Sequence, residues 1–173
     1  AFEPISIAAI FIYIWLLNLQ KYINLLQRKV IHMISFTSQY PSFDLKPKNT
    51  YKKWLRQIAA THKFEIQELT YIFLSDEELL EINHTYLQHD TFTDIITFDN
   101  SEEHDVIEGD IFISVDRVKE NAVNFKVPFQ TELNRVIAHG LLHLCGFLDK
   151  KKEDVLKMRE EEDKAVQLFE QIK

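Results

Sequence analysis

The chain has 173 residues, 46% of them hydrophobic, with three glycines, four prolines and one cysteine. This length suits one well-buried soluble domain, and the composition excludes a disordered chain, a disulfide framework and a four-cysteine zinc ribbon. The net charge of −7 argues against a protein that coats nucleic acid through many lysine and arginine contacts to phosphate. Cys145 fits a reducing compartment, where a lone cysteine serves as a small apolar core residue.

The first 32 residues differ from the rest of the chain. The run ISIAAIFIYIWLL at 5–17 is nearly all apolar. It is shorter than the roughly 20 residues needed to span a bilayer, and it lacks the charged start and the cleavage site of a secretory signal. Three interpretations remain: an interfacial anchor or short span, a core helix, or a segment upstream of the true start. We favour the last because Met33 begins a strand-like run, and we expect no membrane association for residues 33–173.

From Met33 onward, strand and helix patterns alternate along the chain. The predicted strands, rich in β-branched and aromatic residues, are 33–37, 69–74, 94–98 and 110–114. The predicted helices are 50–62, one capped by Ser75 that reaches Tyr86, one from Ser114 or Asp116 to about Asn124, one ended by Gly146, and 152–171. These patterns predict an α/β domain with a small mixed four-stranded sheet, whose last two strands are antiparallel, and about five helices.

The stretch HGLLHLCGFLD at 139–149 has the spacing of a metal site. On a helix, His139 and His143 lie on one face about one turn apart, so both imidazoles can reach one ion. Gly146 lets the chain leave the helix and turn back, which brings Asp149 within reach as a third ligand. Two imidazoles and one carboxylate can hold zinc with a fourth position open, as in catalytic sites. The alternative is a core helix whose histidines find two buried hydrogen-bond partners.

A zinc peptidase shares this spacing. Such an enzyme needs a glutamate directly after the first histidine to act as general base. That position is Gly140 here. A peptidase is therefore a disfavoured alternative.

The same stretch resembles the YbeY-type endoribonucleases that mature ribosomal RNA, whose signature helix reads HGxLHLxGYDH. Four more stretches match that family in order, from the pattern N-x-x-Y-R-x-x-D-x-x-T-D-V-L-S-F onward: Asn83 to Asp90, 93–98, 109–114 and Met158 to Glu162. The resemblance covers most of the chain, from Met33 to its end. Several ordered motifs are far more specific than one pair of histidines.

The resemblance implies a zinc-dependent, single-strand-specific endoribonuclease that processes the 3′ end of 16S ribosomal RNA and takes part in ribosome quality control in the cytoplasm. It implies one zinc ion per chain, held by His139, His143 and Asp149, where Asp149 stands in the place of the usual third histidine. The implied partners are single-stranded ribosomal RNA and ribosomal particles. The nucleophile is either a metal-activated water or the RNA 2′-hydroxyl. A non-catalytic ribosome assembly factor with a structural zinc remains open.

The chain departs from the family at Leu87, where an arginine is expected to hold substrate phosphate. Candidate substitutes are Arg135, Lys126 and the Lys150–Lys152 run. Exposed aromatic side chains can stack unpaired bases, but we expect Tyr86, Phe92 and Phe147 to lie in the core. The sequence assigns no catalytic or substrate-binding residue.

Overall fold

The computed structural model of the chain describes residues 15, 16, 19 and 33–172. Trp15, Leu16 and Leu19 are helical, and the expected separation of residues 1–32 otherwise falls outside the described residues. The other elements are β1 Met33–Ser38, α1 Lys48–Thr61, β2 Glu65–Leu74, α2 Asp76–Ile82, a π-helical turn Asn83–Leu87, β3 Ile95–Asp99, β4 Val106–Ser114, α3 Val115–Phe125, α4 Phe129–Leu144 and α5 Lys152–Ile172. Within the described ranges, no helix combines the length and apolar character that a bilayer span requires.

The four strands are arranged in the order β1, β2, β4, β3. β1 pairs with β2 in parallel, β2 pairs with β4 in parallel, and β3 runs antiparallel to β4. Parallel neighbours need a long crossover, which α1 supplies between β1 and β2. The structure confirms the predicted α/β class, the mixed four-stranded sheet and the five helices of residues 33–172.

Strands β2 and β4 begin earlier than predicted, at Glu65 and Val106. These two residues are paired with each other, and Ile66 is paired with Ile107. The early halves of the two strands therefore stabilise one another. When a segment forms a strand only because it pairs with a neighbouring strand, its own composition does not predict that strand.

Helix α4 packs against β3 and β4 and also against α1, α3 and α5. Ten of its 16 residues are buried. The close approach to the sheet requires Gly140, because a Cβ there would lie 2.7 Å from Ile95 Cδ1 and 2.9 Å from Ile111 Cγ2. From residue 131 to 143, the positions of α4 that are not fully buried recur every fourth residue: Thr131, Arg135, His139 and His143. The tight packing thus leaves the helix one partly open stripe, and it carries both histidines.

Helix α1 contacts both α4 and α5 and fixes their positions. The indole of Trp54 donates to the carbonyl of Ala165 at 2.8 Å, and the hydroxyl of Tyr51 donates to Asn134 Oδ1 at 2.7 Å. The rings of Tyr51 and Trp54 also contact Phe169, with centroids 4.8 and 5.0 Å away. Buried Trp and Tyr side chains contribute both a large apolar contact area and directional hydrogen bonds. These contacts therefore determine where α5 lies against α4.

Cys145 follows α4 directly and is 9% exposed. Burial raises the pKa of its thiol to about 12. A thiol that stays protonated is neither a good nucleophile nor a metal ligand. The predicted role of Cys145 as a small core residue is confirmed.

Substitution of Gly109 by alanine should destabilise the protein. A Cβ at Gly109 would lie 2.6 Å from the carbonyl oxygen of Phe98 on the neighbouring strand, so β3 must shift. We expect Gly109→Ala to lower the free energy of unfolding by about 1–3 kcal/mol, as crowding in packed interiors does. Urea unfolding measures the change. A gain in stability, which alanine normally brings over glycine inside a strand, would contradict the described β3–β4 packing.

Candidate metal centre

His139 and His143 point to the same place from the partly open stripe of α4. Their ring centroids are 4.4 Å apart, and the Nε2 atoms of the two rings are 2.9 Å apart. Both side chains are only partly buried, with 19% and 26% of their surface exposed. The structure therefore brings the two predicted ligands together with one nitrogen of each ring directed to a common point.

The chain turn after α4 brings Asp149 to the same point. Gly146 has a φ of +87°, its amide donates to the carbonyl of His143 at 2.9 Å, and the amide of Phe147 donates to that of Leu142 at 3.0 Å. This pair of bonds is a Schellman ending, which reverses the chain at a left-handed residue. Asp149 Oδ2 lies 3.8 Å from His139 Nε2 and 3.6 Å from His143 Nε2. One ligand atom from each residue falls within 4.8 Å of the others, which makes a compact three-ligand group.

Hydrogen bonds on the far side of each ring orient both imidazoles. His139 Nδ1 lies 2.8 Å from Glu162 Oε1, and His143 Nδ1 lies 2.9 Å from the carbonyl oxygen of Phe147. A carbonyl and an ionised carboxylate can only accept, so both Nδ1 atoms carry the hydrogen. Each Nε2 then presents a lone pair, and two lone pairs 2.9 Å apart repel unless a cation lies near both. The donor set fits a divalent metal ion, which takes neutral imidazole nitrogen and carboxylate oxygen as ligands.

Burial lowers the pKa of His143, and the neighbouring His139 lowers it further. Both effects favour the neutral ring, because a positive charge is costly away from water and beside a second imidazole. A neutral imidazole is the form that binds a metal ion. The electrostatic environment of His143 therefore favours ligation over protonation.

Glu162 contributes to this site although sequence reasoning assigned it no role. It lies on α5, is 4% exposed, and its Oε2 is contacted by Arg159 at 2.9 Å and by Arg135 at 3.2 Å. Burial alone would raise the pKa of Glu162, but the hydrogen bond from His139 and the charge of Arg159 outweigh it and lower the pKa. The sequence does contain one indication of this position. Glu162 follows Met158 by four residues, which places its carboxylate on the buried face of α5.

The three-ligand group forms part of the wall of an open cavity of about 610 Å³. Lys150 lies on the same wall, beside Asp149. Much of the remaining lining comes from the segment between the π-helical turn and the end of β3, including Leu87, His89, Phe92, Asp94 and Asp99. A molecule in the cavity thus has direct access to the candidate ligands.

The candidate substitutes for the arginine missing at Leu87 differ in their positions. Leu87 itself lines the cavity, so the expected place for a guanidinium holds an apolar side chain. Arg135 forms ion pairs with Asp163 at 2.7 Å and with Glu162 at 3.2 Å, and it does not line the cavity. Lys126 caps the end of α3 and does not line the cavity either. Of the basic residues proposed from the sequence, Lys150 is the one on the cavity wall.

The expectation that Tyr86 and Phe92 lie in the core is wrong, since their side chains are 69% and 50% exposed. The cause at Tyr86 is the π-helical turn, where the amide of Gln88 donates to the carbonyl of Asn83 and widens the helix. The 3.6-residue spacing that predicted an inward tyrosine no longer applies there. Phe147 is partly buried and packs against the core, as expected.

Replacement of Glu162 by glutamine tests whether its charge orients His139 for metal binding. We expect Glu162→Gln to weaken zinc affinity about 10- to 100-fold, because an uncharged partner polarises the imidazole less. Competition against a chelating dye measures the affinity. Asp163→Asn is the matched control, since Asp163 contacts Arg135 but not His139. Equal zinc affinity in Glu162→Gln and the wild type would rule out this orienting role.

Comparisons with known proteins agree with the fold and the motif. The family model for endoribonuclease YbeY matches residues 33–170. The chain is 49% identical over 135 residues to the endoribonuclease YbeY of Cytophaga hutchinsonii, covering 78% of this chain and 94% of that protein. It is 47% identical over 137 residues to the endoribonuclease YbeY of Flavobacterium psychrophilum, covering 79% and 96%. The solution structure of TM1509 from Thermotoga maritima is similar with a TM-score of 0.57 and 28% identity, over 79% of this chain and 89% of that one.

The family match begins at residue 33, so the first 32 residues lie outside it. The two relatives are matched over nearly their whole length at close to half identity. The resemblance predicted from the ordered motifs is thereby confirmed. The chain belongs to the endoribonuclease YbeY family.

Proposed function

We propose that the protein is a zinc-dependent endoribonuclease that cleaves single-stranded ribosomal RNA. Its role would be maturation of the 16S ribosomal RNA 3′ end and ribosome quality control, on ribosomal particles in the cytoplasm. Membership of the endoribonuclease YbeY family supports cleavage of RNA. The observation that carries the metal dependence is the group of His139, His143 and Asp149 on the cavity wall.

The charge of the cavity also favours a bound cation. Asp94, Asp99 and Asp149 line it, while Lys150 is the single lysine or arginine among its described lining residues. Acidic walls repel the phosphates of RNA, so a polyanion gains entry more readily when a divalent ion offsets this charge. When bound, such an ion lowers the pKa of a coordinated water and neutralises charge on a phosphoryl oxygen.

The structure removes the support for a zinc peptidase. A peptidase would need a glutamate at position 140, and Gly140 lies against Ile95 and Ile111 with no room for a Cβ. A glutamate there would require the side chains of Ile95 and Ile111 to move. A structural zinc site is normally closed by four protein ligands. Among the described residues this group has three ligands and borders an open cavity, as a catalytic site does.

The purified protein should cleave a single-stranded RNA and spare the same sequence in a duplex. Cleavage should stop on addition of a chelator and return with zinc, because the histidines and Asp149 then hold the ion again. The double variant His139→Ala/His143→Ala should retain its fold, lose zinc measured by elemental analysis, and lose cleavage by at least about 100-fold, since removal of two of three ligands abolishes the site. Gel electrophoresis of end-labelled RNA follows the reaction.

Cleavage that survives chelation, or zinc content equal in wild type and double variant, would contradict the proposal. Asp149→Ala distinguishes catalysis from a structural clip. A folded Asp149→Ala protein that no longer cleaves RNA supports catalysis. Loss of the fold together with the metal would instead support the non-catalytic assembly factor.

We further propose that Lys150 contacts substrate phosphate in place of the arginine missing at Leu87. Lys150 lies on the cavity wall next to Asp149, whereas the exposed Lys152, at the start of α5, does not line the cavity. An ammonium group in this position can pair with a phosphate near the metal centre. A lysine contact is a point charge, so it orients the phosphate less strictly than a bidentate arginine.

Lys150→Gln should raise the KM for single-stranded RNA about 10-fold or more, since one charge-assisted hydrogen bond contributes about 1.5 kcal/mol or more. The slope of log affinity against log salt should fall by about 0.7, the value for one lost phosphate contact on a single strand. Lys152→Gln is the matched control and should leave both quantities near wild type. Equal effects of the two substitutions would mean that Lys150 acts only as a general surface charge and makes no specific contact with phosphate.

A further inference from the structure

We infer that Phe92 is a stacking platform for an unpaired RNA base beside the metal centre, and that Arg117 holds the platform in place. This inference rests on the proposed function, because it names how a single-stranded substrate is recognised. Phe92 is 50% exposed although it lines the cavity that His139, His143 and Asp149 also line. An exposed aromatic ring at the edge of a candidate RNA site is the feature that unpaired bases use.

The backbone around Phe92 is anchored on both sides. The buried amide of Asn83 donates to the carbonyl of Thr91 at 2.7 Å, and the hydroxyl of Thr93 donates to the carbonyl of Ile95 at 3.3 Å. Asn83 is 4% exposed, so the surrounding protein holds its side chain in one position. The loop therefore holds Phe92 at a set position instead of leaving it on a free segment.

The ring itself is supported by a cation. The guanidinium carbon of Arg117 lies 4.7 Å from the centroid of the Phe92 ring, within the range of a cation–π contact. Arg117 is in turn held by Asp76 at 2.9 Å and by Glu120 at 2.7 Å. Because Arg117 is anchored and occupies one face of the ring, the exposed part of Phe92 is pre-positioned to receive a second flat group.

A base in single-stranded RNA matches this surface better than other partners do. Every base has a π-face, so stacking needs no particular sequence, and a paired base in a duplex is already stacked on its neighbours. Phe92 therefore offers a physical basis for preference of single strands over duplexes. Phe92 and the candidate metal ligands line the same cavity, so a base stacked on Phe92 and the candidate ligands can contact one RNA strand.

The test compares Phe92→Leu and Phe92→Tyr with the wild type, using zinc-loaded full-length protein and a single-stranded RNA that carries 2-aminopurine. Leucine keeps an apolar side chain but cannot stack, whereas tyrosine keeps the ring. We expect Phe92→Leu to raise KM about 5- to 150-fold, the range for loss of one base–aromatic stack, with a smaller change in kcat. Phe92→Tyr should stay close to wild type. Phe125→Ala is the matched control, since Phe125 is 55% exposed but lies outside the cavity lining.

Rapid mixing with the wild type should quench the fluorescence of 2-aminopurine, and Phe92→Leu should abolish the quench. Wild-type KM and quenching in Phe92→Leu would overturn the inference while leaving RNA cleavage intact. A role in general apolar contact, as with a protein partner, predicts that leucine substitutes fully and tyrosine does not. Failure of the wild type to cleave or bind the RNA would overturn both this inference and the proposed function.

Discussion

Two imidazole nitrogens held 2.9 Å apart are the constraint on which the rest of the site depends. The Nδ1 atom of each ring is engaged by an acceptor, Glu162 for His139 and the carbonyl of Phe147 for His143. Without a metal ion, a ring can relieve the approach only by taking up a second proton on Nε2, and at His143 burial and the neighbouring imidazole lower the pKa and disfavour that. A cation near both nitrogens resolves the repulsion, and the carboxylate of Asp149 adds the negative charge that attracts one.

The fold produces this arrangement by packing α4 so tightly that only one stripe of the helix remains partly exposed, and both histidines lie on that stripe. Gly140 and Gly109 remove the two Cβ atoms that would keep the helix and the strands further apart. The aromatic contacts of α1 fix α5, which carries Glu162 to the back of His139. Glu162 is in turn kept ionised by His139 and two arginines, so a buried charge that would be unstable alone becomes part of a satisfied network.

Much of this was predictable from sequence because it depends on local spacing. The i, i+4 histidines and the left-handed Gly146 predict a common face and a chain reversal, and the described residues have both. The role of Glu162 was not predictable, since it depends on how α5 meets α4 across distant segments. The exposure of Tyr86 was missed for another reason, because a π-helical turn breaks the periodicity on which burial predictions depend, and Phe92 lies in the loop that follows, where no periodicity applies. The residues whose position was missed thus lie where a tertiary contact, a π-helical turn or a loop replaces the regular helical pattern.

X-ray absorption at the zinc edge of the zinc-loaded protein reports which atoms bind the ion. We expect two imidazole nitrogens and a carboxylate oxygen at about 2.0 Å, with a solvent oxygen in the remaining position. Asp149→Ala should change the oxygen shell and leave the imidazole signal in place. A sulfur ligand, a fourth protein ligand, or an imidazole signal that persists in His139→Ala/His143→Ala would contradict this ligand set.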